Sequence, residues 1–287
     1  MKLKECMMNT KKLKAARRTV LYIFLIFLAV ACIYPVFWII MTSFKTSDEQ
    51  LINGPFALPI SLYLGNFMAA FEQAPLLTYY KNSIIVTAIT IVLIVFLAAP
   101  AAFAIEKMRF KFSNAMLGFF LLGITIPIHI TLIPLFQIYK QMGILNTYLS
   151  LILPQVAFAL SMSIYLFTAF FKYLPDSLME AAVIDGASVN KCFTSIFLPL
   201  SKNTIVTVVT MNLIGVWNEF VFSNTFASSR LMKTLPVGLY DYVGEKGKVD
   251  WGATFSAISI SLIPVLILYF VLNKNIIEGM TAGAIKE

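Results

Sequence analysis

The stretch KNSIIVTAITIVLIVFLAAPAAFAI, residues 81–105, decides the fold. After Lys81 it carries no charged side chain. At about 1.5 Å per residue, a helix of this length exceeds the ~30 Å hydrocarbon core of a bilayer. A helix on the surface of a soluble domain needs only an apolar stripe, whereas this run is apolar on all sides. In lipid such a segment must satisfy its backbone internally, and a helix does so.

Five further runs have the same character, at about 20–42, 114–139, 149–171, 202–226 and 253–272. Of the 287 residues, 59% are hydrophobic and 13% charged, against roughly 45–50% apolar and 25% charged in soluble domains. The expectation is an all-α membrane protein of about six transmembrane helices. The first apolar run is longer than a signal h-region of about 7–15 residues. No small-residue cleavage site closes it, because Tyr34, Pro35, Val36, Phe37 and Trp38 follow. It reads as a retained helix.

The net charge of +8 is unevenly placed: seven basic residues fall within residues 2–18. A basic cluster beside an apolar span is a topology signal and a contact for anionic headgroups, so nucleic-acid binding is not expected. With an even number of spans both termini share a side. Placing them inside puts 15 Lys and Arg on inner segments and seven on outer ones, so the topology is N-in, C-in. The expected divisions are a basic cytoplasmic tail at 1–19, the membrane domain at 20–272 and a cytoplasmic tail at 273–287. Cys6, Cys32 and Cys192 are scattered, without metal-ligand spacing.

Within the third span, Pro127 and Pro134 each remove a helical hydrogen bond. A packing kink is expected, with a hinge as the alternative. His129, between them, more often bonds a neighbouring helix than holds a solute. The outer segment 43–80 reads as a partner contact or a solvated connector.

The longest inner loop, 172–201, carries the functional inference. Ser177 and Glu180 have capping-box spacing, Ala181 and Ala182 favour helix, and Gly186 suits a helix end. Ser188 then caps a second short helix that Pro199 is expected to end. Paired alanines on a helix outside the membrane offer a smooth face that another protein can approach. The loop has no nucleophile, ligand set or phosphate cradle.

This loop resembles the EAA motif of permease subunits of ATP-binding-cassette (ABC) importers. Its Glu-Ala-Ala, Asp-Gly-Ala and Ile-x-Leu-Pro elements match Glu180, Ala181, Ala182, Asp185, Gly186, Ala187, Ile196, Leu198 and Pro199. Residues 102–110, AFAIEKMRF, are similar to a segment of carbohydrate importers of the maltose-permease type. So are Gly143 to Thr147, Trp217 to Phe220 and the tail from Glu278 to Ala284. The chain departs from the family's pattern at Glu106, at Lys107 where arginine is usual, and at Asn203 where proline is usual.

The resemblance implies a type I ABC-importer transmembrane domain in a bacterial cell membrane, with a permease core at about 77–272. It implies transport of a sugar, an oligosaccharide first. The loop residues Glu180, Ala181, Ala182, Asp185, Gly186, Ala187, Leu198 and Pro199 would couple to an ABC ATPase dimer. A second homologous permease subunit and an extracellular or periplasmic solute-binding protein complete the set. No cofactor is expected in this chain, since ATP is used by the partner ATPase. Gly244 to Lys248 lacks the spacing of a phosphate loop and reads as a turn.

Trp217, Asn218 and Glu219 are the solute-path candidates, since aromatic faces and amides suit sugars. A charge at depth costs on the order of 2.5–3.5 kcal/mol on insertion scales, so Glu219 should face water, a partner or the bundle interior. A structural hydrogen bond is the equal alternative. A standalone ion-coupled transporter would need more ionisable residues in the spans than Glu219 and His129. An intramembrane enzyme would need converging catalytic groups, which the sequence lacks.

Overall fold

The structure, a computed structural model, describes residues 2–108, 110–242 and 249–284. Every regular element among them is helical. Three long helices contain predicted spans: α1 (Lys2–Thr42), α4 (Leu76–Lys107) and α7 (Tyr148–Tyr173). Between α1 and α4 lie two short helices, α2 (Ser47–Ile52) and α3 (Gly65–Gln73).

The third predicted span is not one rod. It is α5 (Ser113–Thr125) and α6 (Ile128–Gln141), bent by 97°. Pro127 lacks an N–H and its ring would strike the carbonyl of Gly123. That carbonyl instead accepts from Ile126 N at 3.4 Å in a tighter turn. The expected packing kink is therefore a full break at Pro127, whereas Pro134 sits within α6 without interrupting it.

The inner loop holds α8 (Ser177–Ile184), α9 (Val189–Cys192), a π-helical turn (Phe193–Phe197) and α10 (Leu198–Leu200). After a 72° bend comes α11 (Lys202–Trp217). The fifth predicted span, expected to reach 226, stops at Trp217 and resumes as α12 (Val221–Phe226). A 3-10 turn (Arg230–Met232), α13 (Leu235–Gly238) and a second 3-10 turn (Leu239–Tyr242) follow. The sixth predicted span lies in α14 (Trp251–Ala284). The turn expected at 244–248 falls outside the described residues.

The chain divides into two compact units. The first comprises residues 1–72 with 243–260. Apolar side chains from Val20 to Phe37 on α1 point outward, as a lipid-facing helix requires. Segment 43–72 is ordered around its two short helices, although most side chains between Ile52 and Leu64 are exposed. Thr46 and Glu49 form a capping box at the start of α2. The Asn66 amide donates to the carbonyls of Ser43 and Lys45 at 2.9 and 2.7 Å. The Trp38 ring meets Phe255 edge-on at 5.1 Å. Lys45 is buried with its ammonium on the carbonyl of Pro55 at 3.0 Å. Burial pushes that ammonium below its usual pKa range, against the pull of Glu49.

The second unit, 73–242 with 261–287, holds the main core. Here α4 packs chiefly on α7, with α11 and α5 alongside. Ala98, Ala99 and Ala102 are buried on α4, and small residues let helix backbones approach in lipid. At the Leu76 end of α4, the segment 229–242 is tied down by polar contacts. Asn82 donates to the carbonyls of Leu231 (2.8 Å) and Lys233 (2.9 Å) and accepts from Tyr148 Oη at 2.7 Å. Asp241 accepts from Lys233 at 2.6 Å, from Arg230 at 3.0 Å and from the Tyr79 hydroxyl. The Tyr79 ring lies so close to Gly238 that any Cβ there would overlap it.

Burial pushes the Asp241 carboxyl up, but its three donors outweigh burial and hold it below the usual aspartate range. A depressed folded pKa stabilises above the unfolded value and is lost as pH falls through the folded one. Thermal unfolding of the purified chain should therefore show an acid-sensitive component below about pH 4. Asp241→Asn should lower stability at pH 7 by about 1.5–3 kcal/mol and flatten that acid dependence. An unchanged acid profile in the variant would mean the cluster does not stabilise the fold.

Candidate functional site: the inner loop

Eight residues is short for a helix in water, where isolated helices below about 12–15 residues are marginal. α8 depends on its neighbours. Ala182 is buried, and Leu178 and Met179 pack on the core of the second unit. Glu180, Ala181, Val183, Ile184 and Asp185 are exposed, Ile184 at 85%. Of the two alanines, then, Ala181 faces out and Ala182 faces in. The exposed side is a small apolar ridge between two carboxylates.

The C-terminal end of α8 forms as its glycine requires. Gly186 has φ +79°, a backbone region that costs ordinary L-residues roughly 1–2 kcal/mol. Ala187 N donates to Ala182 O at 2.9 Å and Gly186 N to Val183 O at 3.0 Å. These are the paired bonds of a Schellman cap.

The N-terminal end differs from expectation. Ser177 is the first helical residue, Asp176 occupies the cap position, and no side chain caps the helix. The capping box is absent because Asp176, with helical backbone, already accepts from Met179 N at 2.9 Å and Glu180 N at 3.1 Å, which leaves Ser177 inside the first turn. The Asp176 carboxylate holds the ammonium of Lys107 at 2.9 Å. Ser188 does cap α9, accepting from Lys191 N at 3.4 Å.

Pro199 does not end the second helix. The chain stays helical to Leu200, with the break at Ser201. Pro199 has no N–H for the Ser195 carbonyl and its ring would crowd it. The preceding turn is wound wider, and Leu198 N reaches back to Phe193 O. Such π turns accommodate a misfit inside a helix and recur at functional sites. Leu198 is half-buried and Pro199 exposed.

Lys107 and four phenylalanines join this loop to the bundle. Phe103 on α4 contacts Phe171 of α7 at 6.1 Å, Phe193 at 5.2 Å and Phe197 at 5.1 Å. Phe171 meets Phe197 at 6.1 Å. The sequence reading missed this cluster, since its members are far apart along the chain. Lys107 was visible in sequence only as a departure from arginine.

The solute-path candidates lie elsewhere, at the far end of α11, about 22 Å along the helix from Lys202. Trp217 is buried with its ring 6.4 Å from Tyr80. Asn218 is exposed and donates to Ile214 O at 3.0 Å. The Glu219 carboxylate accepts from Phe222 N (2.6 Å), Ser223 N (3.1 Å) and Ser223 Oγ (3.1 Å), closing the start of α12. The turn with Asn146, at φ 60°, receives the other end of α12. Asn146 N donates to Phe226 O at 2.9 Å. His129 is exposed in the first turn of α6. Among the described residues, no group of three or more His, Cys, Asp or Glu is placed to hold a metal.

The family model described as binding-protein-dependent transport system inner membrane component matches residues 94–282. The chain belongs to this family. The permease is 38% identical to a putative ABC transporter permease protein of a Caldicellulosiruptor species, over 92% of this chain and 96% of that one. It is 34% identical to the trehalose/maltose transport system permease protein of Thermococcus litoralis, over 94% and 97%. Its fold is similar to a chain in the crystal structure of a bacterial ABC transporter that imports the acidic polysaccharide alginate. The TM-score is 0.78 at 20% identity, covering 89% of the permease and 94% of that chain. The permease is thus a multi-pass protein of the plasma membrane with a type I importer fold.

The cap at Gly186 gives a direct test of the loop's geometry. Gly186→Val in the permease should cost the loop about 1–2 kcal/mol, and Gly186→Asn clearly less. Hydrogen exchange over 182–187 should quicken in the valine variant and stay near the parent in the asparagine one. Equal exchange in all three would show that the left-handed residue does not hold the loop.

Proposed function

We propose that this permease imports a sugar, an oligosaccharide first, as one of two similar membrane subunits working on a separate ATPase dimer. An external solute-binding protein delivers the cargo. The observation that carries this reading is the two-sided α8. Its inward side is fastened to the membrane core, while its outward side offers Ala181, Val183 and Ile184 between Glu180 and Asp185. A short helix so exposed and so anchored suits a cleft in a partner, and the charge bias of the loops puts it on the cytoplasmic side.

Glu180 and Asp185 serve contact in this reading, not acid–base chemistry. Hydrolysis of ATP belongs to the partner, and this chain is non-catalytic. The sugar assignment draws on the relative named for trehalose and maltose. Asn218, exposed at the end of α11, supplies an amide that suits a sugar, while Trp217 packs buried beside it against Tyr80. Glu219 acts beside them by holding the start of α12.

The test is to tag the chain in its native membrane, purify it in mild detergent and identify what accompanies it. A parallel chain carries Glu180→Arg and Gly186→Pro. The parent should bring an ATPase and a second permease, and the variant should lose the ATPase while keeping the second permease. If the parent purifies alone, or the variant keeps every partner, the coupling role is wrong and a self-sufficient transporter takes its place.

A further inference from the structure

Lys107 is the last residue of α4, and its side chain is only 3% exposed. Its ammonium donates to Leu174 O at 2.6 Å, at the C-terminal cap of α7, and to Asp176 Oδ1 at 2.9 Å, at the N-terminal cap of α8. It also sits 5.9 Å from the centre of the Phe197 ring, in the π turn. One buried cation thus touches the end of α4, the corner between α7 and α8, and the segment that leads to α11. Around it Phe103, Phe171 and Phe197 pack on one another.

We propose that Lys107 is the positioning residue that transmits displacement of α8 to α4. This rests on the reading of α8 as the ATPase contact and adds the route by which the push enters the bundle. α8 is too short to act as a lever by itself. Its two ends leave through the three-residue corner of Leu174, Pro175 and Asp176 and through a glycine cap at Gly186, without continuing into a longer helix. The stiff link is the cation. A buried ammonium cannot give up its acceptors without a large desolvation penalty, so α4 follows Asp176 and Leu174 when they move. The Asp176 carboxylate serves this link and makes no cap bond on α8. The remaining contacts are aromatic and can slide, whereas the hydrogen bonds fix direction.

A lysine at a helix C-terminus also suits the helix dipole, so the test must separate transmission from plain stability. The full assembly of the permease with its partner subunits is placed in lipid nanodiscs. Hydrogen exchange is measured without nucleotide and with ATP plus vanadate, for the parent, Lys107→Met, Lys107→Arg and Asp176→Asn. The readout is the nucleotide-dependent difference, which a simple loss of stability would not remove. In the parent, both 177–184 and 98–107 should change with nucleotide. In Lys107→Met the change over 98–107 should shrink about fivefold or more while that over 177–184 persists. Lys107→Arg should restore it.

An undiminished change over 98–107 in Lys107→Met overturns the proposal. So does failure of arginine to restore it. Loss of the change over 177–184 as well would make Lys107 a docking element and overturn transmission. Should Lys107→Met not assemble, Asp176→Asn decides by the same criterion, since that carboxylate is 42% exposed and its loss empties no core space. A parent in which 177–184 ignores nucleotide sinks the importer reading itself, which separates the two failures.

Discussion

In hydrocarbon a backbone amide has no water to bond, and that constraint shapes the membrane-spanning part of this permease. It makes the spanning segments helical and forbids casual breaks. Where the chain does break, something takes up the freed groups. At Pro127 the carbonyl of Gly123 turns to Ile126. At 218–220 the Glu219 carboxylate covers the exposed amides that open α12. In the inner loop, Pro199 does not break the helix at all: the preceding turn widens and Leu198 N reaches Phe193 O. An acid in an apolar span that looks costly in sequence is, in the fold, the cap that permits the interruption.

The same logic explains why the inner loop is anchored as it is. Outside the membrane the short helices have water available, and nothing in their length holds them helical. Their order comes from packing: Leu178, Met179 and Ala182 against the core, and Phe193 and Phe197 against Phe103. The side left over stays exposed. Exposure and anchoring therefore come from one amphipathic arrangement, and the proposed ATPase contact needs both.

Much of this was legible in sequence. Apolar run length is read directly from the residues, so α4, α7 and the apolar part of α1, Arg17–Thr42, were placed within a few residues, although α1 itself starts at Lys2. Gly186 and Ser188 were legible too, because a left-handed cap and a serine cap are local events. The capping box at Ser177 was not, because the cap position falls one residue earlier, at Asp176, whose carboxylate is held by Lys107, 69 positions away. The break at Pro127 and the passage through Pro199 were misjudged for a related reason. A proline only removes a bond; whether the helix kinks, breaks or widens depends on what neighbours offer the orphaned carbonyl. Segment 43–80 read as a partner contact or a connector because the order within 43–72 rests on single buried polar groups such as Asn66 and Lys45, which carry no periodic signal.

By itself the sequence determined that this chain crosses a membrane in helices and carries a loop of permease type. Those are properties of runs and local spacing, written in neighbouring residues. Only the tertiary structure decided which side of α8 faces outward, what Asp176 and Glu219 bind, and that Lys107 ends in the loop. Each of those depends on groups remote in the chain competing for the same donor or acceptor, and that competition is resolved only when the helices pack.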